Sequence, residues 1–427
     1  MNSTRRYFFK QVGVAGATLA AAGPLRKSKA AESPNETIVV AVMGLGRGLD
    51  LVNSSVGLKN VRVGYLCDID DERIARGAKA ISGKQEHAPK VTKDIRQALD
   101  DKDIDGVMIA APNHWHAPAG ILACMAGKHV YVEKPSSHNP WEGEMFVKAA
   151  NKYQRVVQMG NQRRSWPALI EAIERLRAGA IGRVLYARCW YNNSRGSIGR
   201  GKQVPVPANL DYALWQGPAP ERPYKDNLVH YNWHWHWHWG NGELGNNGIH
   251  ALDVARWGLG VDYPLRVTCN GGRYHYNDDQ ETPDTSIASY DFGTTGASWD
   301  GSSCNPRGGE GLAFVTFYGE NGILENSGAG YRILDPKGKE ISKGSGNGGE
   351  AIHIENWMDS IRNKKKANST IEDAEKSVLL CHLGNIAYRV GRTIHFDPVK
   401  KQIKNDKEAM KHWKREYRAG WESRLTV

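Results

Sequence analysis

The chain of 427 residues has only six cysteines, at 67, 124, 189, 269, 304 and 381, and no two of them form a CxxC pair. That excludes a disulfide framework and a cysteine zinc knuckle, and leaves reduced, buried thiols. Long apolar runs are missing too. No stretch is long and apolar enough to cross a bilayer, so no membrane span is expected in the mature chain. Nor is there a large excess of one charge outside the N-terminus. The net charge is +11, but residues 1–30 carry six basic and no acidic side chains, and the remainder has 51 basic against 46 acidic. So small an excess gives no electrostatic footprint for nucleic acid. Forty per cent hydrophobic and 24% charged residues describe an ordinary globular chain, long enough for two or three domains.

What is present begins with an address. Thr4-Arg5-Arg6-Tyr7-Phe8-Phe9-Lys10 has the form of a twin-arginine signal. A weakly apolar, Ala/Gly-rich run follows from Val12 to Ala22, and Ser28-Lys29-Ala30 offers small residues for cleavage. The expectation is export to a periplasm, with a mature chain starting near Ala31. The twin-arginine route carries folded proteins, and free NAD is scarce outside the cytoplasm. An exported NAD enzyme should therefore hold its cofactor tightly and regenerate it within one cycle.

The stretch from Thr37 to Asp68 organises the rest. An apolar run (38–43) leads into Gly44-Leu45-Gly46-Arg47-Gly48. A short amphipathic segment and a second apolar run (61–67) follow, ending on Asp68. This spells strand, tight turn, helix, strand, acid. Gly44 permits the sharp turn, Gly46 lets backbone approach a pyrophosphate, and the helix start with Arg47 offers N–H groups and partial positive charge. Asp68 is spaced to take the ribose hydroxyls and to repel a 2′-phosphate, so NAD is preferred over NADP. The third glycine of GxGxxG is absent, since position 49 is leucine.

Helices and strands then alternate as a doubly wound parallel sheet requires. Helices are expected over 71–83 and, with Thr92 as cap, over 92–99. Strand 105–110 runs into Pro112-Asn113-His114-Trp115-His116, a helix covers 116–125, and strand 129–132 ends at Glu133-Lys134-Pro135. A helix over 141–153 precedes the last strand, 156–162, which leads through Asn161 and Gln162 to Arg163 and Arg164. The polar clusters all fall at the C-terminal ends of strands, where such sheets bind ligands.

The glycine turn, Pro112-Asn113-x-x-His116 and Glu133-Lys134-Pro135 together resemble the Gfo/Idh/MocA family. The resemblance covers nearly all the chain after Ala31. It implies that Lys134 lies beside the reacting alcohol and the nicotinamide, with Glu133 orienting it or touching the cofactor. A partly buried amine can withdraw a hydroxyl proton and stabilise the alkoxide. Pro112, Asn113 and His116 would line nicotinamide and ribose, and Asn161 and Gln162 would approach cofactor or substrate. Arg163 would contact substrate or simply flank a helix. The family's Asp-x-x-x-His-x-x-Asp pattern is matched by His250 and Asp253, while its first position is Asn246. These three share a helical face. The resemblance makes His250 the proton acceptor, with Asp253 orienting it or supporting the packing and Asn246 binding a hydroxyl.

The second half is expected to hold a helix over 166–178, a strand over 182–191 and a long loop over 194–226, with 211–216 helical. Short alternating runs from 265 to 326 predict a large, mostly antiparallel sheet, whose open face builds an oligomer interface in the family. Residues 336–350 read as a mobile hairpin, 353–361 and 370–390 as helices, and the tail after Pro398 as weakly packed or capping a neighbour. Asn232 to Trp239 alternates Trp and His, which predicts a strand with tryptophans on one face and His234, His236 and His238 on the other. Residues two apart on a strand are about 7 Å apart, so at most neighbouring histidines could share a metal ion, and no metal site is assigned. A sugar platform, including His236, Trp237, His238 and nearby Glu243, and a packed interface strand both remain open.

The fold class expected is therefore α/β: an N-terminal Rossmann doubly wound parallel sheet with a C-terminal α+β domain containing a large, mostly antiparallel sheet. The segments are a signal peptide (1–30), a dinucleotide domain (35–160), a substrate and oligomerisation domain (161–400) and a tail (401–427). The expected activity is NAD-dependent oxidation of a sugar, sugar acid or glycoside hydroxyl. Glycoside cleavage by transient oxidation and elimination, or sugar binding without catalysis, are the alternatives. Expected partners are a carbohydrate and further copies of the chain.

Overall fold

The computed structural model describes residues 37–427 except 306, 308 and 309. The twin-arginine stretch and its cleavage site lie outside the described residues. Residues 37–427 form one compact unit, with two lobes, each built on a sheet.

The first lobe alternates strands and helices: β1 (Ile38–Met43), α1 (Gly48–Val56), β2 (Val61–Cys67), α2 (Asp71–Ile81), β3 (Lys90–Thr92), α3 (Ile95–Asp100), β4 (Gly106–Ile109), α4 (Asn113–Met125), β5 (His129–Val132), α5 (Pro140–Lys152) and β6 (Val157–Met159). The six strands lie in the order β3-β2-β1-β4-β5-β6 and all pair in parallel. The order reverses between β1 and β4, so a crevice opens there at the carboxyl ends of the strands. β1 and β4 are wholly buried, as a sheet covered on both faces requires. Several boundaries differ from expectation, among them the last strand, which stops at Met159 because Gln162–Ser165 turns into a 3-10 helix. Thr92 ends a short edge strand, and α3 is capped by Asp94, whose side chain accepts from Arg96 N–H. Asp94 wins the cap because its carboxylate reaches the second N–H of the turn. Likewise α4 begins at Asn113, not His116, which puts both residues in its first turn.

The second lobe has α6 (Pro167–Arg177), β7 (Val184–Asn192), α7 (Tyr212–Gln216), α8 (Ile249–Leu259) and strands β8 (Arg266–Gly272), β9 (Thr285–Asp291), β10 (Gly296–Ser302), β11 (Val315–Gly319), β12 (Ile323–Ser327), β13 (Gly330–Leu334) and β14 (Glu340–Gly344). Then come α9 (Ala351–Asn363), α10 (Ile371–Val390), β15 (Ile394–Asp397), β16 (Gln402–Ile403), α11 (Lys407–Met410) and α12 (Trp421–Leu425). Its sheet runs β14-β13-β12-β11-β7-β10-β9-β8-β15-β16, and β7 with β10 is parallel while the other pairs are antiparallel. Burial alternates along β8 and β9, which gives the sheet a core face and an open face.

Three findings revise the local reading. Residues 330–344 form a paired hairpin in the sheet. Helix α9 packs against the first sheet: Ile354, Trp357 and Met358 share a core with Val40, Leu51 and Met108. The tail does not hang loose. Trp413, Trp421 and Leu425 are buried, Trp413 donates to Glu144 at 3.2 Å, and Trp421 meets Trp115 edge to face at 5.2 Å. Its large aromatic residues have apolar surface on α4 and α5 to cover, and burying them outweighs the solvation of the surrounding lysines and arginines.

Candidate functional site

The glycine turn stands at the crevice. Gly44 has φ +86°, and a Cβ there would lie 2.6 Å from the Ala110 carbonyl oxygen, so neither the turn nor the neighbouring strand end admits a side chain. Leu45 N–H donates to Asp68 Oδ2 at 2.6 Å, and Asp70 N–H donates to Asp68 Oδ1 at 3.1 Å. Asp68 thus fixes the turn while lining the cleft. Burial pushes its carboxyl up, against the pull of these donors and of Arg73. Among the described residues, no partner is found for the N–H groups of Gly46 and Arg47. Unpaired donors at a helix start fit a pyrophosphate. Gly46 also has a second reason to be glycine: a Cβ there would collide with the Arg73 guanidinium.

The cleft continues along the strand ends past Pro112, Asn113 and His116 to Glu133 and Lys134, and reaches Asn246 of the second lobe. Both nitrogens of His116 meet backbone carbonyls, Pro135 at 2.7 Å and Ala111 at 2.6 Å, so its ring ties the start of α4 to the Lys134-Pro135 turn. Arg47 spans the opening. Its guanidinium is 3.0 Å from Glu133 and pairs with Glu350, just before α9. Gln162 also reaches Glu350, at 3.4 Å. Lys134 Nζ donates to the Asn246 carbonyl at 2.8 Å and to its side-chain oxygen at 3.0 Å. Burial lowers the Lys134 ammonium, opposed by Glu133 and Glu243. Glu243 is itself buried and holds Asn247.

His250 sits one turn after Asn246. Burial, with Lys134, Arg163 and Arg47 adding repulsion, holds its imidazole well below the usual range. Its Nδ1 is buried with no hydrogen-bond partner. His250 does not line the cleft itself. Asp253 does not bond to it. Arg164 grips Asp253 through two bonds of 2.8 and 2.7 Å, Asn161 donates at 2.6 Å and Ser377 at 2.7 Å. Arg164 also meets Asp373 at 3.0 Å. Asn161 and Asp253 therefore join α8 and α10 to the end of β6. Arg163 lies between the rings of Trp166 and Phe314, at 4.6 and 4.2 Å, and donates to the Gly328 carbonyl at 2.8 Å.

The Trp/His run is not a strand. Asn232–Trp235 is a 3-10 turn, continued by bonds from His236 N to Trp233 O at 3.2 Å and from Gly240 N to His236 O at 2.8 Å. Trp and His both combine a ring with a polar tip, so their alternation carries too little hydrophobic contrast to hold a period of two. The turn separates the residues expected to act together. His234, stacked on Trp233 at 3.6 Å, lines the cleft with Tyr231. Burial lowers the His234 imidazole to about 3. His236 is buried, 3.6 Å from Glu281, while Trp237 and His238 face a separate cavity. Among the described residues no cluster of three or more metal-ligating side chains occurs.

Sequence reasoning missed the cover of the cleft. The loop between β7 and α8 brings Leu214, Trp215, His230 and Tyr231 over it. The loop is tied to the end of β2 by Asp71 N to Asn209 O at 3.1 Å, Asp211 N to Ile69 O at 2.9 Å, Asn209 to Asp70 at 2.9 Å and His230 to Asp70 at 2.9 Å. The sequence indicated only a long loop over 194–226.

The family model described as "Oxidoreductase family, NAD-binding Rossmann fold" matches residues 38–161. That described as "Oxidoreductase family, C-terminal alpha/beta domain" matches 189–295 and 347–423. The chain belongs to the Gfo/Idh/MocA oxidoreductase family. Among curated relatives, a "Glycosyl hydrolase family 109 protein" of Parabacteroides distasonis is 24% identical over 318 residues, covering 68% of this chain and 66% of the relative. A "Levoglucosan dehydrogenase" of Pseudarthrobacter phenanthrenivorans is 39% identical over 100 residues, 23% of this chain and 26% of the relative. The matches thus span less than two thirds of these relatives' own length. Solved structures share the fold. Aldose-aldose oxidoreductase from Caulobacter crescentus, complexed with glycerol, has a TM-score of 0.66 at 19% identity, covering 84% of this chain and 100% of that one. The WlbA dehydrogenase from Bordetella pertussis, in complex with NADH and UDP-GlcNAcA, has 0.63 at 17%, covering 84% and 99%. The Gfo/Idh/MocA assignment makes the crevice of the first lobe a nicotinamide-dinucleotide site, and the unpaired N–H groups at Gly46 and Arg47 suit it.

Proposed function

We propose that the chain oxidises a hydroxyl of a sugar, sugar acid or glycoside with NAD, and retains the cofactor through turnover. The observation that carries this reading is Lys134: its amine lies in the dinucleotide cleft and is held by the second lobe through Asn246. NAD, held by the glycine turn at Gly44–Arg47 and by Asp68, would supply the acceptor for hydride from the carbinol carbon. Lys134, with an ammonium lowered by burial, accepts the hydroxyl proton as that carbon is oxidised. Asn246 fixes the amine. His250 is neutral and has an unpaired Nδ1, which suits a second proton acceptor behind Lys134. The Asp68 carboxylate at the ribose end disfavours a 2′-phosphate, which supports NAD over NADP. The tied cover loop supports retention, and retention fits export by the twin-arginine route. The open face of the ten-stranded sheet, where Ile287 is 56% exposed, is the surface we assign to self-association.

A second reading is favoured by the glycosyl hydrolase family 109 relatives. The same residues would then serve a redox-neutral cleavage, in which hydride returns to the sugar after elimination and water addition. One experiment separates the readings. Nucleotide is released from purified full-length protein and identified by mass, and the protein is offered a panel of free sugars and aryl glycosides. Bound NAD with keto-sugar accumulation supports oxidation. Glycoside cleavage with no net NADH supports the second reading. A preparation without nucleotide that binds NAD only weakly would overturn retention. Undiminished turnover by Lys134→Met would overturn both.

A further inference from the structure

A second cavity lies outside the cleft, between the 220–241 segment, the last turns of α10 and the C-terminal tail. Three arginines from these separate parts of the chain, Arg222, Arg389 and Arg415, reach its wall. None forms an ion pair with a carboxylate among the described residues. Arg222 lies over Trp239 at 5.7 Å and Arg389 over Trp237 at 5.1 Å. Arg415 donates to the Glu416 carbonyl at 3.2 Å and to His138 Nδ1 at 3.4 Å.

The nearby carboxylates, Glu221 and Glu416 of the wall itself and Glu142 and Glu281 behind it, make their direct contacts with other groups. Glu142 accepts from Tyr417 at 2.8 Å and from His138 N–H at 3.0 Å. Glu281 accepts from Trp237 N–H at 2.8 Å. Glu221 is 3.5 Å from Arg418, a residue outside the wall, and Glu416 is exposed. The two lysines of the wall have their own partners, Lys411 with Glu408 at 2.7 Å and Lys414 with Glu422. Other donors are also left over. Asn241 Nδ2 and His138 Nε2 are buried without an acceptor, and His138 Nε2 carries the hydrogen if Nδ1 accepts from Arg415. Three like charges around one hollow repel each other, and Glu142 and Glu281 attract Arg415 and Arg389 without pairing with them. A guanidinium fork matches the paired oxygens of a phosphate, sulfate or carboxylate.

We propose that this cavity is a second binding site, distinct from the dinucleotide cleft, for an oxyanion borne by a small polar ligand. Trp237 and His238 belong to it, which gives the far half of the Trp/His run a role that the cleft does not supply. The three arginines supply the charge, and the leftover amide and imidazole donors supply direction.

The test uses the full chain with its nucleotide bound. Inorganic phosphate, inorganic sulfate and glucuronate are titrated calorimetrically at constant ionic strength, with sodium chloride as the reference salt. Saturable binding of one of these per chain is expected, and which of the three binds identifies the oxyanion. Arg222→Gln and Arg389→Gln, whose side chains are exposed and touch the fold through the Trp239 and Trp237 rings, should each weaken binding at least tenfold and change the ligand-free melting temperature little. Lys134→Met should leave the affinity unchanged, which separates this site from the cleft. The proposal is overturned if none of the three anions gives more than the chloride response. It is equally overturned if both arginine variants bind as the wild type does. Arg415→Gln is informative if it folds, but the two surface variants decide the outcome without it.

Discussion

Lys134 is half-buried and Asp253 fully buried, and their surroundings assign them different work. Burial alone would raise the Asp253 carboxyl, yet Arg164, Arg256 and Ser377 bring it below its ordinary value. Every strong partner of Asp253 is structural. Among the described residues Lys134 Nζ hydrogen-bonds only the two oxygens of Asn246, and burial lowers it against Glu133 and Glu243. Replacing Asp253 leaves the Arg164 guanidinium buried and half-paired, a loss of about 3–5 kcal/mol. Urea unfolding of Asp253→Asn should show most of that loss. Lys134→Met, by contrast, should abolish turnover with unchanged unfolding. A fully stable but inactive Asp253→Asn would return that carboxylate to the chemistry. Lys134, Asn246 and Asp68, which line the cleft, were legible as candidates because each falls in a short motif at the end of a strand or on one face of a helix. Glu350, which pairs with Arg47 from just before α9, and Arg73 were not, because neither carries a local signature.

At the scale of elements, the cover loop and the tail form one clamp. Trp215 O accepts from His114 at 2.8 Å and from the Trp115 indole at 3.0 Å, and Arg418 N–H donates to Pro218 O at 3.0 Å. Trp421 closes over Trp115 from the other side. Truncating such a buried ring costs about 3–5 kcal/mol. Trp421→Ala should therefore lower the melting temperature and also leave less nucleotide on the protein after gel filtration. Full retention by the destabilised variant would show that the tail does not act through the cover. Loops of this kind hold few local signals, so the sequence marked a long loop but neither its docking nor its place over the cleft.

For the whole molecule, buried histidines set the response to acid. Burial lowers His129, His238 and His353 to about 4, and His234 and His382 to about 3. Each binds a proton in the unfolded chain below about pH 6.5 but stays neutral when folded, so the unfolded state gains protons first. Their contribution to stability is complete above about pH 6.5 and is lost as pH falls toward 4. Glu375, raised to about 7 by burial, acts the other way: its folded carboxyl keeps its proton, so its contribution is lost as pH rises from about 4.5 to 7. Burial also raises Asp68, Glu142, Glu144, Glu243 and Glu350, but it lowers six further histidines, His114, His116, His138, His230, His250 and His412, so the histidines outnumber the acids. Melting temperature should therefore fall between pH 7 and pH 5 at fixed ionic strength, and a flat profile would contradict the buried neutral rings.

The sequence by itself determined the parallel sheet, the glycine turn with its acid, the Lys134 strand end and the antiparallel second sheet. Each depends on a period or a spacing that neighbouring residues enforce locally. Tertiary structure alone decided which rings of the Trp/His run enter the cleft, that α9 completes the first core, that Asp253 holds the fold together, and that Arg222, Arg389 and Arg415 meet at one cavity. Those outcomes come from surfaces and charges far apart in the chain that must be covered or compensated, and no local pattern encodes that pairing.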